Sequence, residues 1–369
     1  MSIKKFRVAI ATGGTGGHIF PGLAIADQLH DRGHKTLILA DKRFLNYKNQ
    51  FPSYLNYKII PSGSFAGGTL RKIVSTIKIF LGVIKALLIY YNYKPNIVIG
   101  FGGYTCFPSI IAAKIMHIPI FIHEQNAVVG KTNRLLMKLA DVIAVTFKDT
   151  VGIKARDKRV EIVGNPVRKQ ILQYRKSAYK SPSLKTKVNI LITGGSQGAA
   201  IFSKVIPKAI ALLDINTRHD ILITQQCRIE DMIKVKQQYS ELGIKAVIAK
   251  FFDDMPKLLS ESHIIVSRAG ASIISEIMAI GRPAIFIPIE KSSGNHQYIN
   301  AKTMEDSGAA WIIKEPEFSA ETCAALLQDL LNNKTKKLAS ASINARALYS
   351  DAGDRLTNMI LNFCQYGHV

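Results

Sequence analysis

The sequence predicts an α/β protein built from two doubly wound parallel sheets, and three observations lead there. Short strands that are apolar almost throughout alternate with helix-like stretches along the chain, the pattern of a sheet covered on both faces. A strand runs straight into a glycine-rich loop twice, as RVAIAT–GGTGGH (7–18) and VNILIT–GGSQGA (188–199). Finally, 369 residues are long for one domain and ample for two, each with its own core.

Taken in order, RVAIAT ends in the first glycine loop, and a helix-like stretch begins near Pro21, a residue favoured in a first turn, and ends around Arg32–Gly33. KTLILA, NIVIG, IPIFIH, DVIAVTF and VEIVG follow as strands. After a polar, basic stretch around Tyr174–Lys187 the plan restarts with VNILIT, the second loop and a helix to about Leu213. IKAVIAK, HIIVS, RPAIFIPI and AAWIIK supply further strands. Pro166 punctuates a strand end and sets the boundary near Gly164–Arg168, giving domains of residues 1–165 and 166–349. Asp351–Tyr366 reads as a helix, so residues 350–369 are expected to pack back on the first domain. The repeat is one of plan, not of sequence. Such sheets bind ligands at the carboxyl ends of their strands, here toward a cleft between the domains.

Lys and Arg number 49 against 26 Asp and Glu, a formal charge of +23. Residues 1–165 hold 23 of the bases and 8 of the acids, a surplus of 15 that leaves 8 for the remainder. A basic face attracts nucleic acid, anionic lipid or an anionic substrate. The chain has no aromatic-rich RNA-binding motif, zinc-finger spacing or dense arginine cluster, so a nucleic-acid partner is not expected. Cys106, Cys227, Cys323 and Cys364 are scattered without a C-x-x-C pair, which argues against a disulfide framework or zinc site and fits a reducing cytoplasm. MSIKKFRVAIAT passes into a glycine loop with no apolar signal core, so it reads as a first strand.

A glycine loop between strand and helix lets backbone N–H groups approach phosphate, with the helix N-terminus adding positive potential. Neither loop carries the G-x-x-x-x-G-K-[ST] pattern, and in GGTGGHIF the third glycine of a dinucleotide fingerprint is replaced by Ile19. One such loop is as readily a ligand-free tight turn, but GFGGY (100–104) adds a third at a strand end. In SRAGASIISE a strand ends at Ser267 and a helix opens, offering its N-terminus to a diphosphate. Glu276, four residues after Ser272 on the same face, is placed to accept from both hydroxyls of a ribose, or is simply a surface carboxylate. The adjacent Asp253 and Asp254 precede Met255 as a helix cap would, and no metal or other cofactor is implied. In residues 69–95, Arg71, Lys78 and Lys85 are seven apart on one helical face, and Ile73, Ile77, Phe80, Leu81, Ile84, Leu87 and Leu88 fill much of the rest. Three interior cations argue against a spanning helix. The stretch lies on an anionic leaflet or is a core-facing helix with a solvated edge.

GGTGGHIFPGLAIA, GFGGY, HEQNAVVGKTNR (123–134), VGNPVR (163–168), GGSQGA, FFDDM (251–255), SRAGASIISE (267–276) and HQYINA (296–301) follow one another along the chain. In order and spacing they resemble the MurG family, the N-acetylglucosaminyltransferases of bacterial cell-wall synthesis, over nearly the whole length. The resemblance implies the GT-B architecture: two Rossmann-like domains separated by a cleft, with acceptor on the first and donor on the second. It implies a single inverting displacement. The C4 hydroxyl of the MurNAc unit of undecaprenyl-pyrophosphoryl-MurNAc-pentapeptide (lipid I) attacks the anomeric carbon of UDP-GlcNAc, UDP leaves, and the β-1,4 link of lipid II forms.

An alcohol nucleophile calls for a general base, and the resemblance offers His18 and Glu124. It assigns Thr15, Gly16, Gly17, Asn126, Arg168, Ser196, Phe252, Arg268, Gln297 and the run Ala271, Ser272, Ile273, Ile274, Ser275 and Glu276 to the donor. Within that set Phe252 presents backbone to uracil, Ser196 meets a phosphate, and Glu276 holds the ribose. Asn126 and Gln297 hold sugar hydroxyls, while Arg168 and Arg268 bring positive charge to the diphosphate. Gly14, Tyr104, His123 and Gln125 fall to the acceptor, and Thr15 to Gly17 also lie toward its diphosphate. His296 departs from the family, many of whose members carry glutamine there.

A lipid acceptor favours the membrane reading of Arg71, Ile73, Ile77, Lys78, Phe80, Leu81, Ile84 and Lys85. It places the protein peripherally on the cytoplasmic face of the plasma membrane, with other cell-wall synthesis proteins as partners. Three rivals fit less well. A UDP-sugar 2-epimerase shares the fold but not HEQN and GFGGY. An NAD-dependent dehydrogenase would use Asp41 on the adenosine ribose but leaves the second loop unexplained, and a membrane scaffold explains neither loop.

Overall fold

The computed structural model describes residues 5–64, 68–154, 156–183, 186–195, 199–290 and 293–367. The chain forms two compact units, Met1–Lys169 together with Ser350–Val369, and Gln170–Tyr349.

The first unit runs β1 (Arg7–Ala11), α1 (Gly16–Asp31), β2 (Lys35–Ala40), β3 (Tyr57–Ile59), α2 (Thr69–Tyr93), β4 (Ile97–Gly100), α3 (Cys106–Ile115), β5 (Ile120–Glu124), α4 (Lys131–Leu136), β6 (Val142–Val145) and β7 (Val160–Ile162). Its seven strands are parallel in the order β3-β2-β1-β4-β5-β6-β7. Successive side chains of a strand point to opposite faces, and both faces are covered. Val8 and Ile10 pack with Ile19 and Leu23 of α1 and with Leu356 and Ile360 near the C-terminus. Ala9 and Ala11 pack with Ala86 and Tyr90 of α2 and with Cys106 and Ile110 of α3.

After α5 (Lys169–Leu172) the second unit runs β8 (Val188–Thr193), α6 (Ala200–Leu212), α7 (Ile215–His219), β9 (Ile221–Gln226), α8 (Met232–Glu241), β10 (Ala246–Ala249), α9 (Met255–Glu261), β11 (Ile264–Ser267), α10 (Ala271–Ile280), β12 (Ala284–Phe286), α11 (His296–Asp306), β13 (Ala310–Ile312), α12 (Ala320–Asn332) and α13 (Lys334–Ala347). The strands are again parallel, in the order β10-β9-β8-β11-β12-β13. The last helix, α14 (Ala352–Tyr366), belongs to the first unit. Arg32 Nη2 lies 2.5 Å from Asp354 Oδ1 and Thr357 Oγ1 donates to Gln28 Oε1 at 3.1 Å, tying α14 to α1.

Strand order locates the switch points, where the chain turns to opposite sides of a sheet and leaves a crevice. In the first sheet this falls between β1 and β4, whose ends carry GGTGGH and GFGGY. In the second it falls between β8 and β11, whose ends carry Gly194–Gly195 and SRAG.

Local structure departs from the sequence reading at three places. Helix α1 starts at Gly16, one turn before Pro21, which lies inside it. Pro21 has no N–H for the carbonyl of Gly17, and Thr12 Oγ1 donates to the neighbouring His18 carbonyl at 2.7 Å. Strands β3 and β9 were not anticipated. The first is a three-residue edge strand. The second ends in Gln225 and Gln226, two buried amides that read as polar but are partnered inside: Tyr239 Oη donates to Gln225 Oε1 at 2.6 Å and Thr193 Oγ1 to Gln226 Oε1 at 2.8 Å.

Helix α2 is unlike the others. Ser75, Ile79, Gly82, Ala86 and Tyr90 form its one buried edge, a spacing of three and four that makes a single stripe. At Gly82 a side chain would run into Pro61 O and Pro108, so only glycine permits the approach to α3. The opposite face is open, with Leu70 76%, Phe80 63% and Leu88 61% exposed.

Candidate active site: two strand-end constellations

In the first unit, the ends of β1 and β4 meet at His18. Its backbone N–H closes onto Thr15 O at 3.1 Å, seating it in the first turn of α1. Its half-buried ring lies against the GFGGY loop: a Cβ on Gly102 would stand 3.2 Å from Cδ2, and one on Gly103 3.5 Å from Nδ1. Both glycines have positive φ, +88° and +77°, so GFGGY is glycine-rich because it turns left-handed beneath an imidazole. Thr15 and Gly17 are exposed, and Gly14, Gly103 and Tyr104 are half-buried around the same opening. Gly16 N–H donates to Tyr47 Oη at 3.1 Å, and Arg168 stacks 4.2 Å over Phe20 on α1.

HEQN turns mostly inward. Glu124 is 1% exposed and its carboxylate is saturated. Oε1 accepts from Asn126 N at 3.0 Å and Asn126 Nδ2 at 3.3 Å; Oε2 accepts from Gly130 N and Asn133 Nδ2, each at 2.9 Å. A carboxylate so enclosed organises the loop 124–133.

His123 and Gln125, expected at the acceptor, are buried, at 0% and 1% exposed. His123 Nε2 lies 2.8 Å from Gly164 O and Nδ1 lies 3.1 Å from Gln125 Nε2, while Gln125 Nε2 also donates to Phe101 O at 2.9 Å. A carbonyl at Nε2 and an amide donor at Nδ1 fix the neutral Nε2–H tautomer. Burial pushes the imidazole down to about 4 despite the Gly164 carbonyl. These side chains pin the end of β5 to the VGNPVR segment.

In the second unit, β11 ends in Ser267–Gly270 and α10 opens at Ala271 with no acidic residue in its first turn. Among the described residues nothing lies within 4 Å of where a Cβ on Gly270 would stand, so the helix N-terminus is open to them. Gln297 Oε1 accepts from Ala269 N at 3.3 Å and Ile289 N at 3.1 Å. Since the oxygen is engaged by two backbone donors, the amide must present its NH2 outward. Ser272 and Ile273 are half-buried at the helix start; Ile274 is 0% and Ser275 3% exposed and face the core, the latter donating to Ala271 O at 2.9 Å. Glu276 is 6% exposed and Phe252 half-buried. Ser196 lies outside the described residues.

Arg268 is engaged within its own unit. Its Nη2 is 2.7 Å from Glu315 Oε1, its Nη1 donates to Ile287 O at 3.0 Å, and its side chain is 14% exposed. Glu315 Oε2 in turn accepts from Glu290 N at 3.1 Å. Burial raises the Glu315 carboxyl, but Arg268 and the Glu290 N–H outweigh it and hold it below the usual carboxylate range. The guanidinium is neutralised by a carboxylate 47 residues away and braces β11 against the loop after β12.

Asp254 accepts from Lys257 N at 3.1 Å as the cap of α9, and among the described residues no cluster of His, Cys, Asp and Glu is arranged to hold a metal. Sequence reasoning missed Arg43, Tyr47, Thr105 and Asn133, which contact the glycine loops or Glu124. Only KTNR adjoining HEQN offered a signal, for Asn133.

Two parallel-sheet units with glycines at their switch points define a two-domain α/β protein, and both halves match glycosyltransferase family models. Residues 8–145 match the glycosyltransferase family 28 N-terminal domain and residues 189–356 the glycosyltransferase family 28 C-terminal domain. More particularly, the chain is 37% identical over 362 residues, covering 98% of itself and 95% of the relative, to the UDP-N-acetylglucosamine–N-acetylmuramyl-(pentapeptide) pyrophosphoryl-undecaprenol N-acetylglucosamine transferase of Rhodospirillum centenum. It is 39% identical over 353 residues to the protein of that name from Zymomonas mobilis, covering 95% of itself and 91% of the relative. The crystal structure of Acinetobacter baumannii MurG superposes with a TM-score of 0.77 at 28% identity, covering 97% of this chain and 100% of that one. The chain belongs to this family. A UDP-GlcNAc 2-epimerase from Neisseria meningitidis shares the fold at 15% identity and a TM-score of 0.68, covering 96% of this chain and 100% of that one.

Proposed function

We propose that the protein transfers GlcNAc from UDP-GlcNAc to the C4 hydroxyl of the MurNAc unit of lipid I, forming lipid II with inversion in one displacement. Membership of the transferase family over nearly the full chain carries this reading. The two strand-end constellations are its chemical counterpart. In the second unit the open N-terminus of α10 receives the donor diphosphate, with Glu276 at the ribose, Phe252 at the base, and the NH2 of Gln297 at the sugar. In the first unit the glycine loops receive the acceptor, Tyr104 lines their opening, and His18 takes the proton from the C4 hydroxyl. Glu124 acts at one remove by fixing Asn126, and Arg168 adds charge beside α1.

Helix α2 docks the enzyme on an anionic leaflet where the lipid acceptor resides. It is long and apolar enough to cross a membrane, with mean hydropathy 2.0 over an 18-residue window. Its buried edge against α3 instead suits a helix lying on the surface, with Ile73, Ile77, Phe80, Leu81 and Ile84 toward lipid. Arg71, Lys78 and Lys85 would then lie at the margin, each near-surface cation contributing about 1 kcal/mol. The protein is thus peripheral on the cytoplasmic face of the plasma membrane.

UDP release tests the assignment. It should require both UDP-GlcNAc and a lipid I analogue. Conversion of UDP-GlcNAc to its 2-epimer without acceptor would overturn the reading in favour of the epimerase.

A further inference from the structure

We propose that Arg43 is a specificity-determining residue of the acceptor site, hydrogen-bonding the diphosphate of the lipid-linked acceptor at the first glycine loop while Asp41 holds its guanidinium in place. The inference rests on the transfer reaction proposed above and adds a recognition element that neither the loop motifs nor the relatives' names supply.

Arg43 follows β2 in the turn Lys42–Gln50, which Asp41 caps by accepting from Arg43 N at 3.0 Å. The other Asp41 oxygen, Oδ2, accepts from Arg43 Nε at 2.8 Å and Nη2 at 2.5 Å. The Asp41 side chain is 10% exposed and that of Arg43 53%, so the acid is the anchor and the base the outward face. This also removes Asp41 from the ribose-binding task a dehydrogenase would give it.

The guanidinium rests on the first loop. A Cβ on Gly14, whose φ is +87°, would stand 3.5 Å from Arg43 Nη2. Nε and one Nη2 proton go to Asp41; no described residue accepts from Nη1. Beneath the loop, Thr105 Oγ1 is fully buried and has no hydrogen-bond partner among the described residues. It points at Gly13, 2.5 Å from where a Cβ there would stand. The first turn of α1 has no acidic residue, and its cap Thr15 supplies no side-chain bond.

A guanidinium held by Asp41 and resting on the first loop, beside the start of α1, suits an anion with several oxygens on adjacent centres. A diphosphate has that chemistry. Donor and acceptor both carry one, so the shared chemistry must be separated by experiment. We assign Arg43 to the acceptor because it shares its unit with His18.

Steady-state kinetics on the full chain, varying UDP-GlcNAc and a lipid I analogue independently, test the proposal. Arg43→Gln should raise the acceptor KM about tenfold or more, the scale of one charge-assisted bond, with the donor KM within about twofold. Arg43→Lys should recover part of the loss, since it restores the charge without the fork. An unchanged acceptor KM, or an equal rise in both, would overturn the assignment while transfer by the wild type leaves the reaction standing. A second measurement needs no variant. Phenylglyoxal modification of Arg43 in the wild type, followed by peptide mass spectrometry, should be slowed by a short prenyl diphosphate but not by the monophosphate or UDP. Equal protection by UDP, or none by the prenyl diphosphate, contradicts the proposal even if no transfer is detected.

Discussion

Asn133 Nδ2 donates to Glu124 Oε2 at 2.9 Å, completing a set of four hydrogen bonds that leaves this carboxylate 1% exposed. Glu124 is thereby enclosed, whereas His18 is half-buried beside the GFGGY loop. The two candidate bases consequently fail in different ways when altered.

Glu124→Gln places an NH2 where only acceptors fit. It should destabilise the fold by about 2–3 kcal/mol, as expected when buried donors lose their acceptor, and any loss of turnover should accompany a lower Tm. His18→Ala should lower turnover at least tenfold with Tm and donor affinity little changed. Calorimetry beside initial rates separates them; wild-type turnover in His18→Ala would remove it as the base.

His123 should remain a neutral Nε2–H imidazole through the physiological range, because burial holds it down to about 4. An unfolded histidine titrates near 6.5, so the folded state binds the proton less readily. The resulting stability is complete above about pH 6.5 and is lost as pH falls toward 4. Imidazole NMR checks this directly: titration of His123 near 6.5 would show that its enclosure is wrong.

Glu315 gives a pH dependence in a lower window. Its folded carboxyl is held below the ordinary value of 4.5, so its contribution is present above that value and lost as pH falls through the folded pKa. The stability gap between wild type and Glu315→Gln should therefore narrow as urea melts are moved from pH 7 to pH 3. A gap independent of pH would indicate packing, not the ion pair with Arg268.

Replacing Phe80 and Leu81 together by serine should abolish co-sedimentation with anionic vesicles, since both are largely exposed, at 63% and 51%. Turnover of a water-soluble acceptor should be unchanged. Loss of both activities would place these residues in the fold.

The parallel sheets and strand-end loops were legible because the information is local: apolar runs, glycines at turns and a helix after each. Strand β9 was hidden because Gln225 and Gln226 look solvent-seeking, and only Tyr239 and Thr193 reveal them as interior. The same limit applies at the site. His123, Gln125 and Arg268 belong to family motifs, and motif membership does not distinguish a ligand-facing residue from its support. Arg268 is neutralised by a partner 47 residues on, and His123 bonds a carbonyl 41 residues on. Such pairings exist only after folding. Arg43 escaped for a similar reason: its relation to Gly14 depends on β2 lying beside β1.

The most direct test of the central claim is the structure of the product formed by the full chain from UDP-GlcNAc and a lipid I analogue, read by NMR of the purified disaccharide. The expected product is a β-1,4-linked GlcNAc on MurNAc with stoichiometric UDP. An α-linkage, a different acceptor hydroxyl, or consumption of UDP-GlcNAc without any disaccharide would contradict it.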